Sequence, residues 1–258
     1  MSDVRVPVPA FERPAWRALD GGVMRPGGLA LTDRALAFIG LPRGSRVMDV
    51  GCGVGITVEH LVGDHGLDAI GVDRSAELVE SGMRRSPGLS LLVGDAGHLP
   101  CRDGELDAVL AECSWSVISS ADDAPSADGE GARDAGRDAA GRALAELRRV
   151  LRPGGWLVLS DLYARSATGR ARGERGTGGP RGRVLAGEND VRVAVAEAGF
   201  AVALWEDHHA ALASFVGRAI FAFGSLDPLT GGSVCGPARD AALAGARPSY
   251  FLLVARRS

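Results

Sequence analysis

Three groups of residues have the types and spacing to do chemistry. The first is the run Val47-Met48-Asp49-Val50-Gly51-Cys52-Gly53-Val54-Gly55, at the end of a short apolar strand and the start of a helix. Glycines there let the backbone approach a ligand closely, and the first amides of a helix face it. A nicotinamide fingerprint, G-x-G-x-x-G, needs its third glycine where this sequence has Ile56. The third glycine stands one place earlier, at Gly55, which points away from a dinucleotide. The second group is the carboxylates that end strands: Asp73, Asp95 in Gly94-Asp95-Ala96, and Glu112. The third is Trp205-Glu206-Asp207-His208-His209, where His208 or His209 has the titration range of a general base. The plainer alternative there is a helix capped by Asp207 with two histidines in its first turn.

The elements that must position these residues alternate. Strands are expected over 46–50, 67–73, 89–93, 106–110, 156–162, 201–205 and 250–255. Between them the apolar spacing gives helices: one with Thr32 as N-cap and Leu36 and Ile39 inward, one with Val58, Leu61 and Val62, and one opened by Ser75. A fourth carries Leu144, Leu147, Val150 and Leu151 and stops at Arg152-Pro153-Gly154-Gly155. Two more cover about 190–198 and 210–223. Apolar strands alternating with helices imply a mostly parallel sheet covered on both faces. Ligands of such sheets bind beyond the carboxyl ends of the strands. Residues 120–137, 165–183 and 226–248 interrupt the alternation and read as loops, either solvated or covering the ligand edge, with a short helix end over 238–244.

Four features in order resemble class I S-adenosylmethionine-dependent methyltransferases: Asp49-x-Gly51-x-Gly53-x-Gly55, Asp73, Gly94-Asp95-Ala96 with Leu99-Pro100, and Leu151-Arg152-Pro153-Gly154-Gly155. The resemblance covers about residues 25–162. It implies a Rossmann-like α/β fold with a seven-stranded, mostly parallel sheet and a last antiparallel strand. It also implies S-adenosylmethionine as cofactor, S-adenosylhomocysteine as product, and transfer of a methyl group to a small-molecule acceptor. Within the family the sequence is similar to the quinone C-methyltransferase-like group. The segment Arg25 to Thr32, the Trp205-Glu206-Asp207-His208 run and Pro248-x-Tyr250-Phe251 resemble a little-characterised bacterial subgroup.

The resemblance assigns the cofactor to Arg25, Gly27, Gly28, Asp49, Gly51, Cys52, Gly53, Gly55, Asp73, Arg74, Asp95, Ala96, Glu112 and Cys113. Asp73 would accept from the ribose hydroxyls and Asp95 from the adenine amino group. Asp49 would meet the ammonium of the methionine end, and Arg25 or the amides of Gly27 and Gly28 its carboxylate. Arg25 reads otherwise as a surface arginine. Glu112 and His208 are the candidate catalytic residues, Glu112 as cofactor contact, substrate guide or base, or else as half of a salt bridge. Asp161 and Tyr163 are weaker candidates facing the same pocket. Cys52 reads as packing.

The bulk composition narrows the partners. A net charge of −3 over 258 residues, with arginine as the only strong base, offers no footprint for nucleic acid. No apolar run suggests a secretory leader or a membrane span. Four cysteines without C-x-x-C spacing suggest a reduced, cytoplasmic chain. No metal site is expected, and His60, His65 and His98 read as ordinary surface histidines. One domain over 1–258 is expected: an arm and cap helix over 1–40, a cofactor half over 41–162, and a substrate half over 163–258. A monomer or homodimer is anticipated. Two rival readings stay open. In one, Cys113 and Cys235 hold a thiophilic metalloid or selenium acceptor. In the other, the chain binds the cofactor as an accessory protein without turnover.

Overall fold

Val47 to Val50 are all buried and carry no side chain that reaches solvent, as a central strand requires. This strand, β1 (Arg46–Val50), pairs in parallel with β2 (Asp68–Asp73) on one side and β4 (Leu106–Glu112) on the other. β3 (Ser90–Val93) adds to β2, and β5 (Leu151–Ala164) to β4, again in parallel. β7 (Pro248–Arg257) enters antiparallel between β5 and β6 (Phe200–Asp207). The sheet order is β3-β2-β1-β4-β5-β7-β6. This computed structural model describes residues 23, 25–118, 129–165, 185–225 and 247–258.

The expected seven-stranded sheet with a last antiparallel strand is therefore the observed one. The switch point lies between β1 and β4, since the chain leaves β1 toward β2 and returns to β4 on the other side. The parallel pairing puts the ends of β1, β2, β3, β4, β5 and β6 on one edge, with the start of β7 beside them.

Alternation along the strands divides the core. Val47, Ala69, Ala108 and Val158 face one side, under Ala35 and Leu36 of α1 (Gly28–Ile39) and Val58 and Leu61 of α2 (Ile56–Gly63), with Val79 of α3 (Ala76–Arg85). Met48, Val50, Val109 and Leu157 face the other side. There they meet Leu144 and Leu147 of α5 (Gly129–Val150) and Val191 and Val195 of α6 (Glu188–Glu197). A short α4 (Trp115–Ile118) follows β4, and α7 (His209–Phe223) joins β6 to the segment before β7. Ser75 caps α3 as expected, its hydroxyl accepting from the Leu78 amide.

Three local readings change. α1 begins at Gly28 behind the left-handed Gly27, so Thr32 lies inside the helix, fully buried, and is not its cap. Arg152-Pro153-Gly154-Gly155 is not a turn between helix and strand: β5 starts at Leu151 and absorbs the run as an irregularity opposite Leu106 and Ala108. Residues 129–137, expected as loop, belong to α5. The stretches expected as loops over 166–183 and 226–246, and the proposed helix end over 238–244, lie outside the described residues, as does the arm before Val23.

Candidate cofactor and acceptor site

The glycine run turns as its composition requires. Gly51, Gly53 and Gly55 have φ of 82°, 54° and 79°, a region that L side chains rarely adopt. The Gly51 and Cys52 amides both donate to the Val72 carbonyl, tying the loop to the end of β2. A Cβ on Gly51 would collide with the Ser114 side chain, and one on Gly55 would meet Leu91. Cys52 is buried in contact with the α1–α3 side of the core, the packing role expected of it.

Asp73 closes the second side of the loop. Its Oδ2 accepts the Gly53 amide and its Oδ1 the Ser75 amide, both at 2.8 Å. Each carboxylate oxygen has two lone pairs, so one amide bond does not exhaust an oxygen. Arg74 is exposed beside it. Asp95 is also exposed, its Oδ1 holding the Gly97 amide at 2.7 Å, while Ala96 packs against the core.

Beneath the loop lies a buried charge cluster that no sequence spacing announces. Arg25 and Glu112 form an ion pair at 2.8 Å, with side chains only 8% and 1% exposed. Thr32 sits between them. It receives a bond from Arg25 at 2.7 Å and donates to Glu112 at 2.9 Å. Arg25 also donates to Thr57 of α2 at 2.9 Å. Burial disfavours the Arg25 charge, but Glu112, Tyr250 and Asp49 outweigh it and raise its pKa. Glu112 is thus committed to Arg25 and Thr32, and of the roles considered for it the structure displays the ion pair. Arg25 is not a surface arginine. Its Nε is buried with no partner among the described residues.

Asp49 lies 3% exposed between these groups. Burial, then the nearby Glu112 charge, push its carboxyl up to about 7, with Arg25 opposing. A cation arriving there would find a carboxylate with little else to neutralise it.

The ends of β4, β5 and β7 form a second polar row. Cys113 takes a left-handed φ of 58° and donates its amide to the Ser160 carbonyl at 2.6 Å. Burial pushes its thiol up to about 12. The Tyr250 hydroxyl lies 3.2 Å from Ser160 Oγ, and both side chains are fully buried. Sequence reasoning missed Ser160 and Tyr250; only the β5–β7 register, which pairs Leu162 with Tyr250, brings them together. Asp161 and Tyr163, expected to face the pocket, are both buried. Asp161 is fully buried and accepts the Ser116 amide, and Tyr163 packs edge-on against Trp205 and Phe251. Cys235 lies outside the described residues, so its approach to Cys113 is not described.

His208 is half-buried at the start of α7, with Nε2 3.1 Å from Glu206, and its amide donates to the Tyr250 carbonyl. Asp207 is not the helix cap: the N-cap is His208, without a side-chain cap bond, and Asp207, one residue earlier, holds the His209 amide at 3.0 Å, bonds Ser249 and pairs with Arg165. Three strand spacings, on the order of 14 Å, separate β6 from β4, so His208 and Glu112 are not neighbours. One turn beyond His208 a groove of about 410 Å³ opens between α7 and the start of α1 with the residues before it. Val23, Gly27, Gly28 and Leu29 line one wall, and Ala211, Ser214 and Arg218 the other. A larger cavity of about 740 Å³, bounded by Leu99, Arg102, Glu105 and Arg149, is walled by the approach to β4 and the end of α5, and shares no residue with the glycine loop.

Residues 48–159 match the family described as "Methyltransferase domain". The matched segment, which holds the glycine loop, Asp73, Asp95 and Glu112, is similar to methyltransferase domains. It is 35% identical over 126 residues to the demethylmenaquinone methyltransferase of Beutenbergia cavernae, covering 49% of this chain and 44% of that protein. The chain thus spans less than half the length of the curated relatives it matches. Among solved structures it resembles the [4+2]-cyclase SpnF, with TM-score 0.62 and 24% identity over 88% of this chain and 80% of that one. It also resembles phosphoethanolamine N-methyltransferase 2 of Haemonchus contortus in complex with S-adenosyl-L-methionine. There the TM-score is 0.67, with 16% identity over 94% of this chain and 56% of that one. At these identities the structural likenesses establish the shared fold.

Proposed function

We propose that this protein transfers a methyl group from S-adenosylmethionine to a small organic acceptor. The observation that carries the reading is the loop Asp49–Gly55, held between the Val72 carbonyl and Asp73 at the sheet's switch point. The residues fit the cofactor. Asp73 and Asp95 supply acceptors for hydroxyl and amino donors, buried Asp49 suits an ammonium, and the unpartnered Nε of Arg25 suits a carboxylate. When bound, S-adenosylmethionine supplies an activated methyl on a cationic sulfur. The chain's own work is then positioning and exclusion of water. Glu112 acts by holding Arg25 in place. Gly27 and Gly28 belong to both the cofactor side and the groove, so the acceptor would lie along α7 with His208 near its far end as the candidate proton acceptor.

Five observations bear on the finer reading. The 35% identity to a demethylmenaquinone methyltransferase favours a flat, apolar acceptor such as a quinone precursor. The groove, with two glycines and a leucine on one wall, is compatible with it. The described cysteines, Cys52, Cys101 and Cys113, are unpaired, which suits the reducing interior of a cell. No helix among the described residues is long and apolar enough to cross a membrane. A raised thiol pKa at Cys113 works against a thiolate that would hold a metalloid.

Calorimetry with S-adenosylhomocysteine tests the donor: micromolar or tighter binding is expected, and none at all would end the proposal. Mass spectrometry of a host extract incubated with the wild-type chain or Asp95→Ala then identifies the methylated product. A second reading, cofactor binding without methyl transfer, is favoured by the likeness to a protein titled a cyclase. Tight binding with no methylated product across quinone, phenol and amine acceptors would select it.

A further inference from the structure

Asp33, His60 and His65 lie outside the site described above, on α1, at the last turn of α2, and just after it. Their ligand atoms converge. Asp33 Oδ1 is 2.6 Å from His60 Nε2 and 2.8 Å from His65 Nε2, and the two Nε2 atoms are 3.3 Å apart. The rings meet edge to face, with centroids 4.8 Å apart. On the far side of the first ring, His60 Nδ1 lies 2.6 Å from Asp64 Oδ2.

Proton accounting makes this arrangement unusual. An ionised Asp64 can only accept, so His60 Nδ1 must carry the proton of that contact. A neutral His60 then turns a lone pair toward Asp33 and His65. Lone pair against carboxylate at 2.6 Å is repulsive unless a positive charge lies between them. Either an extra proton or a metal ion supplies it.

The geometry favours the metal. A tetrahedral zinc with bonds of about 2.0–2.1 Å sets its ligand atoms roughly 3.3 Å apart, the spacing the two imidazole nitrogens already have. Asp33 must retreat by roughly 0.5–0.7 Å to match, which its half-exposed side chain allows. Two imidazoles and a carboxylate form a nitrogen and oxygen set suited to zinc, with a fourth position left to solvent. Asp64 on the second nitrogen of His60 is the outer carboxylate that commonly orients a metal-bound histidine.

We propose that Asp33, His60 and His65 form a divalent-metal site, fitted to zinc, that ties α1 to α2. Its place in the fold gives it a consequence. Asp33 follows Thr32, which lies between Arg25 and Glu112, and α2 is the helix opened by the glycine loop. A metal here would fasten together the two helices that flank the candidate cofactor site. The site does not depend on whether the chain transfers methyl groups.

The test uses the full chain without an affinity tag, stripped with EDTA and dialysed. Zinc is titrated against a chromophoric chelator, and cobalt(II) serves as a spectroscopic probe. One equivalent of zinc at micromolar affinity or tighter is expected. The cobalt form should show the intense visible bands of a four-coordinate site without a thiolate-to-cobalt charge-transfer band. His65→Ala, outside any helix, should lose the equivalent while keeping the wild-type circular dichroism. Asp64→Asn should bind roughly 10- to 100-fold more weakly, and His209→Ala, exposed on α7, should bind as wild type. Failure to retain zinc against the chelator would assign the positive charge to a proton and overturn the proposal. So would a thiolate band, or undiminished affinity in a folded His65→Ala.

Discussion

The two halves of the sheet are built by different means. Around β1, β2 and β4 the site is made of backbone: three left-handed glycines, amides bonded to Val72 and Asp73, and carboxylates locked by neighbours. Around β5, β7 and β6 it is made of side chains brought together by an antiparallel insertion, and its groove is walled by helix faces. On the proposed reading the first half holds the methyl donor, and its tightly bonded backbone tolerates little variation. On the same reading the second half would meet the acceptor, and its wall residues are ordinary in type. Mutations should therefore hurt folding and donor binding on the first side, and turnover on the second.

The largest loss of stability is expected from Glu112→Ala, which leaves the Arg25 guanidinium buried without its counter-charge. The cost should be about 3–5 kcal/mol by denaturant unfolding. The pair Arg25→Met with Glu112→Leu should recover much of it, since a well-packed apolar pair often replaces a buried ion pair without loss. Recovery of stability with no recovery of S-adenosylhomocysteine binding would show that Arg25 serves the ligand as well as the fold.

Gly51→Ala comes next. A left-handed alanine costs about 1–2 kcal/mol, and overpacking against Ser114 about 1–3 kcal/mol more. Calorimetric melting should show the drop, and an unchanged melting temperature would mean the loop is looser than its bonds suggest. Asp73→Asn should weaken S-adenosylhomocysteine binding by roughly 10- to 100-fold, the worth of charge-assisted bonds, with Asp95→Asn weaker in effect because Asp95 is exposed.

A smaller effect is written in pH. Asp49 has its pKa raised to about 7 in the fold, against an ordinary value of 3.8. Between those values the folded chain holds a proton that the unfolded chain has lost. Ligand-free stability should therefore fall as pH rises from about 4 through 7. Affinity for an ammonium-bearing ligand should move the other way, rising as Asp49 ionises through pH 7 and levelling above 8. Asp49→Asn should flatten both profiles. A wild-type affinity that does not change between pH 6 and 8 would place the ammonium elsewhere.

The smallest change in folding and donor binding belongs to His208→Ala, within about 0.5 kcal/mol for a half-buried surface position. Turnover alone should respond, and a variant with normal turnover removes His208 as proton acceptor. That single contrast would sharpen the division between the halves more than any change on the donor side.

The same division explains what the sequence made legible. Seven strands, their order of polarity and the glycine loop were readable because apolar runs and positive-φ glycines leave local marks. Thr32 was misread as a cap because a threonine before Asp-Arg looks like one. Its real partner, Glu112, is 80 residues away. Arg25 with Glu112, Ser160 with Tyr250, and Asp33 with His60 and His65 are likewise products of packing and strand register. No window of sequence contains them. Even Pro153-Gly154-Gly155, a strong breaker signal, was absorbed into β5 because an extended strand tolerates an irregularity that a helix does not.

The antiparallel insertion of β7 also sets an order of events during synthesis. β1 to β5 can pair as they emerge from the ribosome, each beside a strand already made. β6 cannot, because its only strand partner among the described residues, β7, is made about fifty residues later. Until residue 257 has cleared the exit tunnel, β5 presents a bare edge and β6 has nowhere to dock, a state open to mispairing. The half proposed to meet the acceptor is thus the last to form, and chaperone demand during translation should concentrate in that interval.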